Sequence, residues 1–220
     1  MRALIAALAV SLTCAFPAGA AETPGRSTFQ VLRNGSPFGS HTIEVRAGAD
    51  GVLIAESRAH LQVKLGPITF FRYRQDCDET WAGGRIETLR CVTLKDGKHT
   101  NVAMRRTGEG LSVTVDDGRA TILPANTQPT SWWSRSVLQA GPLIDTQTGK
   151  RTPALTVEHI GRGPFTLNGA AIQADHYRVH GTTTIDLWYD AAGHWVGCVF
   201  TARGQRVEYR LTSDPNDGPT

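Results

Sequence analysis

A chain of 220 residues with 23 basic and 20 acidic side chains, a formal net charge of +3, has the length for one all-β domain with a sizeable core. Its charge is too evenly spread for the concentrated basic patch that nucleic-acid binding needs. An aromatic content of 7% and few girdle-like aromatic pairs argue against an outer-membrane barrel, and no mature segment reaches the roughly eighteen apolar residues of a membrane helix.

The first element is an address. Met1-Arg2, the apolar run Ala3 to Ala15 and the small residues Ala18-Gly19-Ala20 form the pattern of a cleaved secretory signal over residues 1–20. The mature protein is then expected to begin near Ala21 and to work in an oxidising compartment, the periplasm or outside the cell. Cys14 lies inside the apolar run without the neighbours that lipoprotein processing expects.

From there turn punctuation recurs every ten to fifteen residues: Asn34-Gly35, Asp50-Gly51, Gly66-Pro67, Gly83-Gly84, Asp96-Gly97, Asp117-Gly118, Thr148-Gly149, Asn168-Gly169, Gly193 and Arg203-Gly204. Between turns the apolar residues fall two apart, as in Leu61, Val63, Leu65 and in Leu111, Val113, Val115. Ile185, Leu187, Tyr189 and Val207, Tyr209, Leu211 repeat the pattern. Period two puts each set on one strand face, with Gln62, Lys64, Thr184, Asp186, Glu208 and Arg210 on the wet side. The sequence therefore predicts a mainly β protein: a single strongly curved antiparallel sheet, a half-barrel or open-barrel meander, in one domain over residues 21–212 with a polar tail, 213–220.

Three cysteines follow the signal. Cys77 and Cys91 each lie seven residues from Gly84, so a hairpin centred there sets them opposite one another, within disulfide reach. The closed loop contributes about 3 kcal/mol in the chain-entropy account. Cys198, in Val196-Gly197-Cys198-Val199-Phe200, reads as a buried small hydrophobe.

In Phe70-Phe71-Arg72-Tyr73-Arg74, alternation places Phe71 and Tyr73 on one face and both arginines on the other. One segment breaks the strand rhythm. Pro129-Thr130-Ser131 starts a short helix, Trp132 to Ala140 forms its body, and Gly141-Pro142 stops it. About nine residues do not hold a helix alone, so its tryptophans must dock, most simply on the concave side of the sheet.

Signatures of nucleophile elbows, zinc proteases, phosphate loops and dinucleotide sites are missing from the sequence. His176-x-x-x-His180 comes nearest to ligand spacing, yet Tyr177, Val179 and Thr182 to Thr184 favour a strand, where the two rings stand roughly 13 Å apart. Asp175, Asp186 and Asp190 nearby read as solvated turn formers. No catalytic residue, metal ligand or cofactor is assigned.

A set of phrases in fixed order carries a resemblance: Phe29-x-Val31-x-Arg33-Asn34-Gly35 with Phe38-Gly39-x-His41, Val63-Lys64-x-Gly66-x-Ile68, Tyr73-Arg74 and Glu79-x-Trp81-x-Gly83-Gly84-Arg85-Ile86. They continue through Leu123-Pro124, Thr130-x-Trp132 and Leu187-Trp188-Tyr189-Asp190 to Val207-Glu208-Tyr209-Arg210-Leu211. Together they resemble an uncharacterised family of exported proteobacterial proteins, a domain of unknown function. More distantly the chain is similar to periplasmic lipoprotein carriers, whose curved sheet surrounds an apolar hollow closed by short helices. That resemblance implies a fold and an apolar ligand class and transfers no catalytic residue.

The resulting expectation is an exported, non-enzymatic β-domain that holds a lipid or other hydrophobic or amphiphilic small molecule in the hollow of its sheet. Phe71, Tyr73, Trp132, Trp133 and Trp188 are assigned to the ligand, with the Trp132 helix as a partial lid. A structural or interaction module of the cell envelope with a filled interior is the alternative, and an exported hydrolase built from scattered His, Asp and Ser residues the third.

Overall fold

A computed structural model describes residues 24–65, 68–139, 141–152, 155–167 and 169–213. The expected signal sequence, the Gly66-Pro67 turn, Asn168 and all of the polar tail but Ser213 lie outside the described residues.

Eight strands run in sequence from the centre of the sheet to one edge: β1 (Gly25–Arg33), β2 (Ser36–Ala47), β3 (Leu53–Leu65), β4 (Ile68–Ala82), β5 (Arg85–Lys95), β6 (Lys98–Thr107), β7 (Gly110–Val115) and β8 (Thr121–Leu123). The chain then leaves the sheet through β9 (Gln128–Pro129), a 3-10 helix at Arg135–Gln139 and β10 (Leu143–Ile144). It re-enters at the opposite edge and returns through β11 (Thr156–Leu167), β12 (Ala170–His180), β13 (Ile185–Tyr189), β14 (Trp195–Ala202) and β15 (Gln205–Ser213). β15 pairs with β1, Phe29 opposite Leu211, so thirteen antiparallel strands form one sheet ordered β11 to β15 and then β1 to β8. Its edges β8 and β11 do not pair with each other. The meander is thus two halves joined at the first and last strands, and the connection between the halves crosses the concave side.

That connection fills one end of the hollow. Trp133, Val137, Leu138, Leu143 and Ile144 share a single buried cluster with Trp81, Ile86 and Leu89 of one wing and Leu187 and Tyr189 of the other. Only a strongly curved sheet brings both wings to the same core. Beside Gly149 of the connection, a Cβ would come within 2.3 Å of Val115, which shows how closely the crossing segment lies on the wing of β6 and β7.

The expected helix is shorter than its sequence pattern. Trp132 and Trp133 precede it, and the turns Ser134 N to Ser131 O and Val137 N to Ser134 O close three residues apart, the 3-10 spacing. Tertiary bonds hold this stretch before a full α-turn can form: Ser131 Oγ and Trp133 Nε1 donate to Glu79, and Trp132 O accepts from the Tyr189 hydroxyl at 2.7 Å. Pro129, read as the start of the helix, sits in β9, which pairs in parallel with β10.

Cys77 and Cys91 are directly paired across β4 and β5 and bridged, their Cα atoms 4.1 Å apart. The tight turn is Gly83-Gly84, with Ala82 opposite Arg85, a register that alone would set Cys77 against Arg90. A bulge between Thr80 and Trp81 inserts the extra residue that restores Cys77 to Cys91. Gln128 of the connection caps this turn, accepting from Ile86 N and donating to Gly84 O, each at 3.0 Å. Cys198 is buried, and burial pushes its thiol well up.

Candidate functional site

The connection covers the end of the hollow where β4 meets β5 and then runs up the β6–β7 wing, where Thr146 meets Gln75 and Gly149 lies on Val115; at the opposite end, the mouth, β3 and β4 line the hollow with their own side chains. Alternation along β3 and β4 turns Leu61, Val63, Phe71 and Tyr73 inward there, Leu61 opposite Tyr73 and Val63 opposite Phe71. Phe38, at the start of β2, stacks on Phe71 at 5.6 Å between ring centres, and Phe71 lies parallel to Tyr73 at 6.5 Å. All five residues are half-buried and stand outside the packed cluster. They form an aromatic and aliphatic wall on the concave side of the sheet.

Behind this wall the lining becomes polar and uncharged. His41 Nε2 lies 2.7 Å from Ser57 Oγ, while Nδ1 is buried with no hydrogen-bond partner among the described residues. Phe29, Trp195 and Tyr209 ring the imidazole at 5.8 to 6.3 Å. Gln75 reaches Thr93 and, across to the connection, Thr146. Burial, with a smaller push from Asp145, raises the Tyr73 phenol, and burial does the same to Tyr209. Both phenols stay protonated at neutral pH, so these two hydroxyls are neutral, with Asp145 the charge nearest to Tyr73.

The Ser57–His41 contact superficially matches a nucleophile and base. Burial lowers the His41 pKa to about 4, however, and no described carboxylate accepts from Nδ1. The match ends at two residues: Nδ1 is buried without a partner among the described residues, so no third group orients the imidazole as a general base would require.

The imidazole instead makes stability pH-dependent. Its pKa falls from 6.5 in the unfolded chain to about 4 when folded, so between these values the unfolded state binds more protons. The stability present above pH 6.5 is lost as pH falls towards 4, by about 3 kcal/mol from this group. In urea titrations, His41→Gln is expected to flatten the pH dependence in that window, and an unchanged slope would assign it elsewhere.

The structure does not bring the five expected ligand residues together. Phe71 and Tyr73 share the mouth. Trp133 is 7% exposed and packs edge-to-face on Trp81 at 5.4 Å. Trp132 lies at the plugged end, half-buried against the core. Trp188 occupies the opposite, outer face of the sheet, stacked on His176 at 4.5 Å and near Phe165 at 5.5 Å. There the β11–β12 hairpin folds over β14: a Cβ on Gly197 would meet the Phe165 ring at 2.8 Å. Trp188 therefore belongs to a packing joint, as does His176, whose Nε2 lies 2.7 Å from Asp186. His180 pairs instead with Glu158 at 3.6 Å.

Sequence reasoning missed Glu79, the polar centre of the plug. It is 3% exposed and accepts from Trp81 Nε1 at 2.7 Å, Ser131 Oγ at 2.8 Å and Trp133 Nε1 at 3.2 Å. A signal was present, since Glu79 falls between Cys77 and Trp81 on the inward face of an alternating strand. It also missed Phe38 and His41, which lie three apart and share a side because the β1–β2 register shifts at Phe38, between Val31 opposite Gly39 and Leu32 opposite Pro37.

These features define a class: an open, barrel-like antiparallel sheet with one end plugged by its own connection. Residues 29–212 match a domain of unknown function, DUF6134, and the chain belongs to that family. Among solved structures it is similar to a β-barrel-like DUF1849 protein from Brucella abortus at 12% identity, over 89% of this chain and 99% of that one, with a TM-score of 0.66. A DUF1089 family protein from Pseudomonas aeruginosa, at 11% identity over 71% and 87% of the two chains, gives a TM-score of 0.40. MucB, at 15% identity over 91% and 56%, gives 0.36. No curated protein matches the sequence. None of the helices among the described residues is long and apolar enough to cross a membrane, and the disulfide is compatible with an oxidising compartment.

Proposed function

We propose that this chain is an exported, non-catalytic binding domain, residues 21–212, that takes an apolar or amphiphilic small molecule at the mouth of its hollow. The observation that carries this reading is the inward wall of Phe38, Leu61, Val63, Phe71 and Tyr73, half-buried and outside the packed cluster in a sheet whose other end is plugged. Inward aromatic surface left uncovered in a curved sheet is a ready-made apolar site, and the neutral hydroxyls and imidazole behind it suit an uncharged polar end. Phe71 and Tyr73 keep the ligand role expected of them. In this reading Trp132 and Trp133 hold the plug, and Trp188 holds the outer hairpin.

Displacement of a fluorescent fatty acid from delipidated protein tests it. Phe71→Ala is expected to weaken binding at least tenfold, the equivalent of losing a buried Phe contact, while Trp188→Ala leaves it unchanged. Failure of the folded wild-type protein to bind, or equal affinity in Phe71→Ala, overturns the reading. A second reading, an interaction module without a pocket, draws on the plugged end, where Trp133, Val137 and Ile144 are buried in the interior.

A further inference from the structure

The longest hairpin of the sheet outruns its neighbours. β2 follows β3 only as far as Leu61, and β5 follows β4 only as far as Tyr73. Beyond these residues the two strands pair only with each other, from Gln62 opposite Arg72 to Leu65 opposite Ile68. Asp96 ties the base of this arm to the rest through Arg72, accepting from its backbone N at 3.0 Å and donating to its O at 2.9 Å. The last four residues of β3 thus pair with no strand but β4, while Phe38 of the β1–β2 hairpin stacks on Phe71 at the arm's base. Two-stranded ribbons without a packed face are marginal alone, yet this one carries Phe70 at 63% exposure, the most exposed large hydrophobic residue described.

The charges at this end differ from those on the flat outer face. There Arg46 pairs with Glu44 and Glu56, Arg58 with Asp78, and Arg74 with Asp76, while Arg90 on the neighbouring β5 has no ion pair among the described residues. On and around the arm, Arg72 of β4, Arg33 and Lys95 at the ends of β1 and β5, Lys98 at the start of β6 and Arg203 in the β14–β15 turn carry no ion pair among the described residues. Asp96 is the acid set among them, and Asp116 and Asp117 lie at the same end on the distant wing beyond β7.

We propose that the mouth end is a docking surface for an anionic lipid bilayer, with Phe70 entering the headgroup boundary and the unpaired cations lying over it. An exposed aromatic side chain supplies apolar anchoring, and unpaired Arg and Lys supply electrostatic attraction that a neutral or basic surface would not return. The docking is independent of whether the hollow holds a ligand, though it would place the mouth at a source of amphiphiles.

The test is co-sedimentation of the protein recovered from the periplasmic fraction with vesicles of phosphatidylcholine alone or with one-third phosphatidylglycerol, at 50 and 500 mM salt. Binding is expected only to the anionic vesicles and only at low salt. Phe70→Ser is expected to weaken it about tenfold, and Lys98→Glu with Arg203→Glu more than tenfold, with the fatty-acid probe still bound in both. Equal binding to both vesicle types, no binding to either, or binding unaffected by these substitutions overturns the proposal. So does a dimer in light scattering that Phe70→Ser converts to monomer, since the arm would then be a contact between copies of this chain.

Discussion

Glu79→Ala is expected to lower the unfolding free energy by about 3 to 5 kcal/mol, and the melting temperature by on the order of 10 °C. The carboxylate is the shared acceptor of two indole N–H groups and one hydroxyl in a site closed to water. Without it three buried donors stay unsatisfied, each costing about 1 to 3 kcal/mol less whatever relaxation recovers. Glu79→Gln keeps one acceptor oxygen and is expected to lose less than half as much. Urea denaturation followed by tryptophan fluorescence measures both, and equal losses in the two variants would mean that one amide oxygen replaces none of the carboxylate's hydrogen bonding and that side-chain volume contributes nothing.

Trp133→Ala is expected to cost about 3 to 5 kcal/mol, the range for deleting a buried aromatic residue. Its indole packs on Trp81, shares the Glu79 acceptor and supports Val137 in the same cluster. Because both variants break the same node, their effects are expected to be strongly non-additive, the double variant losing little more than the worse single one. A lid would behave differently: its removal would alter ligand affinity and leave unfolding nearly untouched. Calorimetry beside probe titration separates the two roles for Trp132 and Trp133, and an unchanged melting temperature in Trp133→Ala would return that residue to the lid.

Much of the sheet was legible because antiparallel strands reveal themselves locally. Asn34-Gly35 and Asp96-Gly97 announce turns that favour left-handed backbone, and both adopt it. The inward set Leu187, Tyr189, Tyr209 and Leu211 follows from period two alone. The disulfide was legible although its hairpin is not the simple one assumed: the turn centre and the Thr80–Trp81 bulge differ from it by compensating single residues. Strand order was not legible, because pairing of β1 with β15 joins residues at opposite ends of the chain and no local pattern encodes it. That pairing puts Phe29 beside Trp195 and Tyr209 and so builds the cage around His41.

The candidate site was half legible for the same reason. Phe71 and Tyr73 lie two apart on one strand, and their common face can be read from spacing. Trp132, Trp133 and Trp188 attracted attention by residue type, yet type does not say which side of a sheet a side chain faces. Trp188 alternates with Leu187 and Tyr189, which already placed it on the wet face. The helix pattern around Trp132 failed because tertiary hydrogen bonds from Glu79 and Tyr189 hold the backbone in a tighter turn than its propensity favours.

The central claim is that the plug fills one end of the hollow and leaves an apolar binding wall at the other. Methyl NMR of the protein titrated with lauric acid tests it most directly. Shifts concentrated on Leu61 and Val63, with Val137, Leu138 and Ile144 unmoved, are the expected result. Shifts centred on the plug methyls, or none anywhere at saturating ligand, would contradict the account.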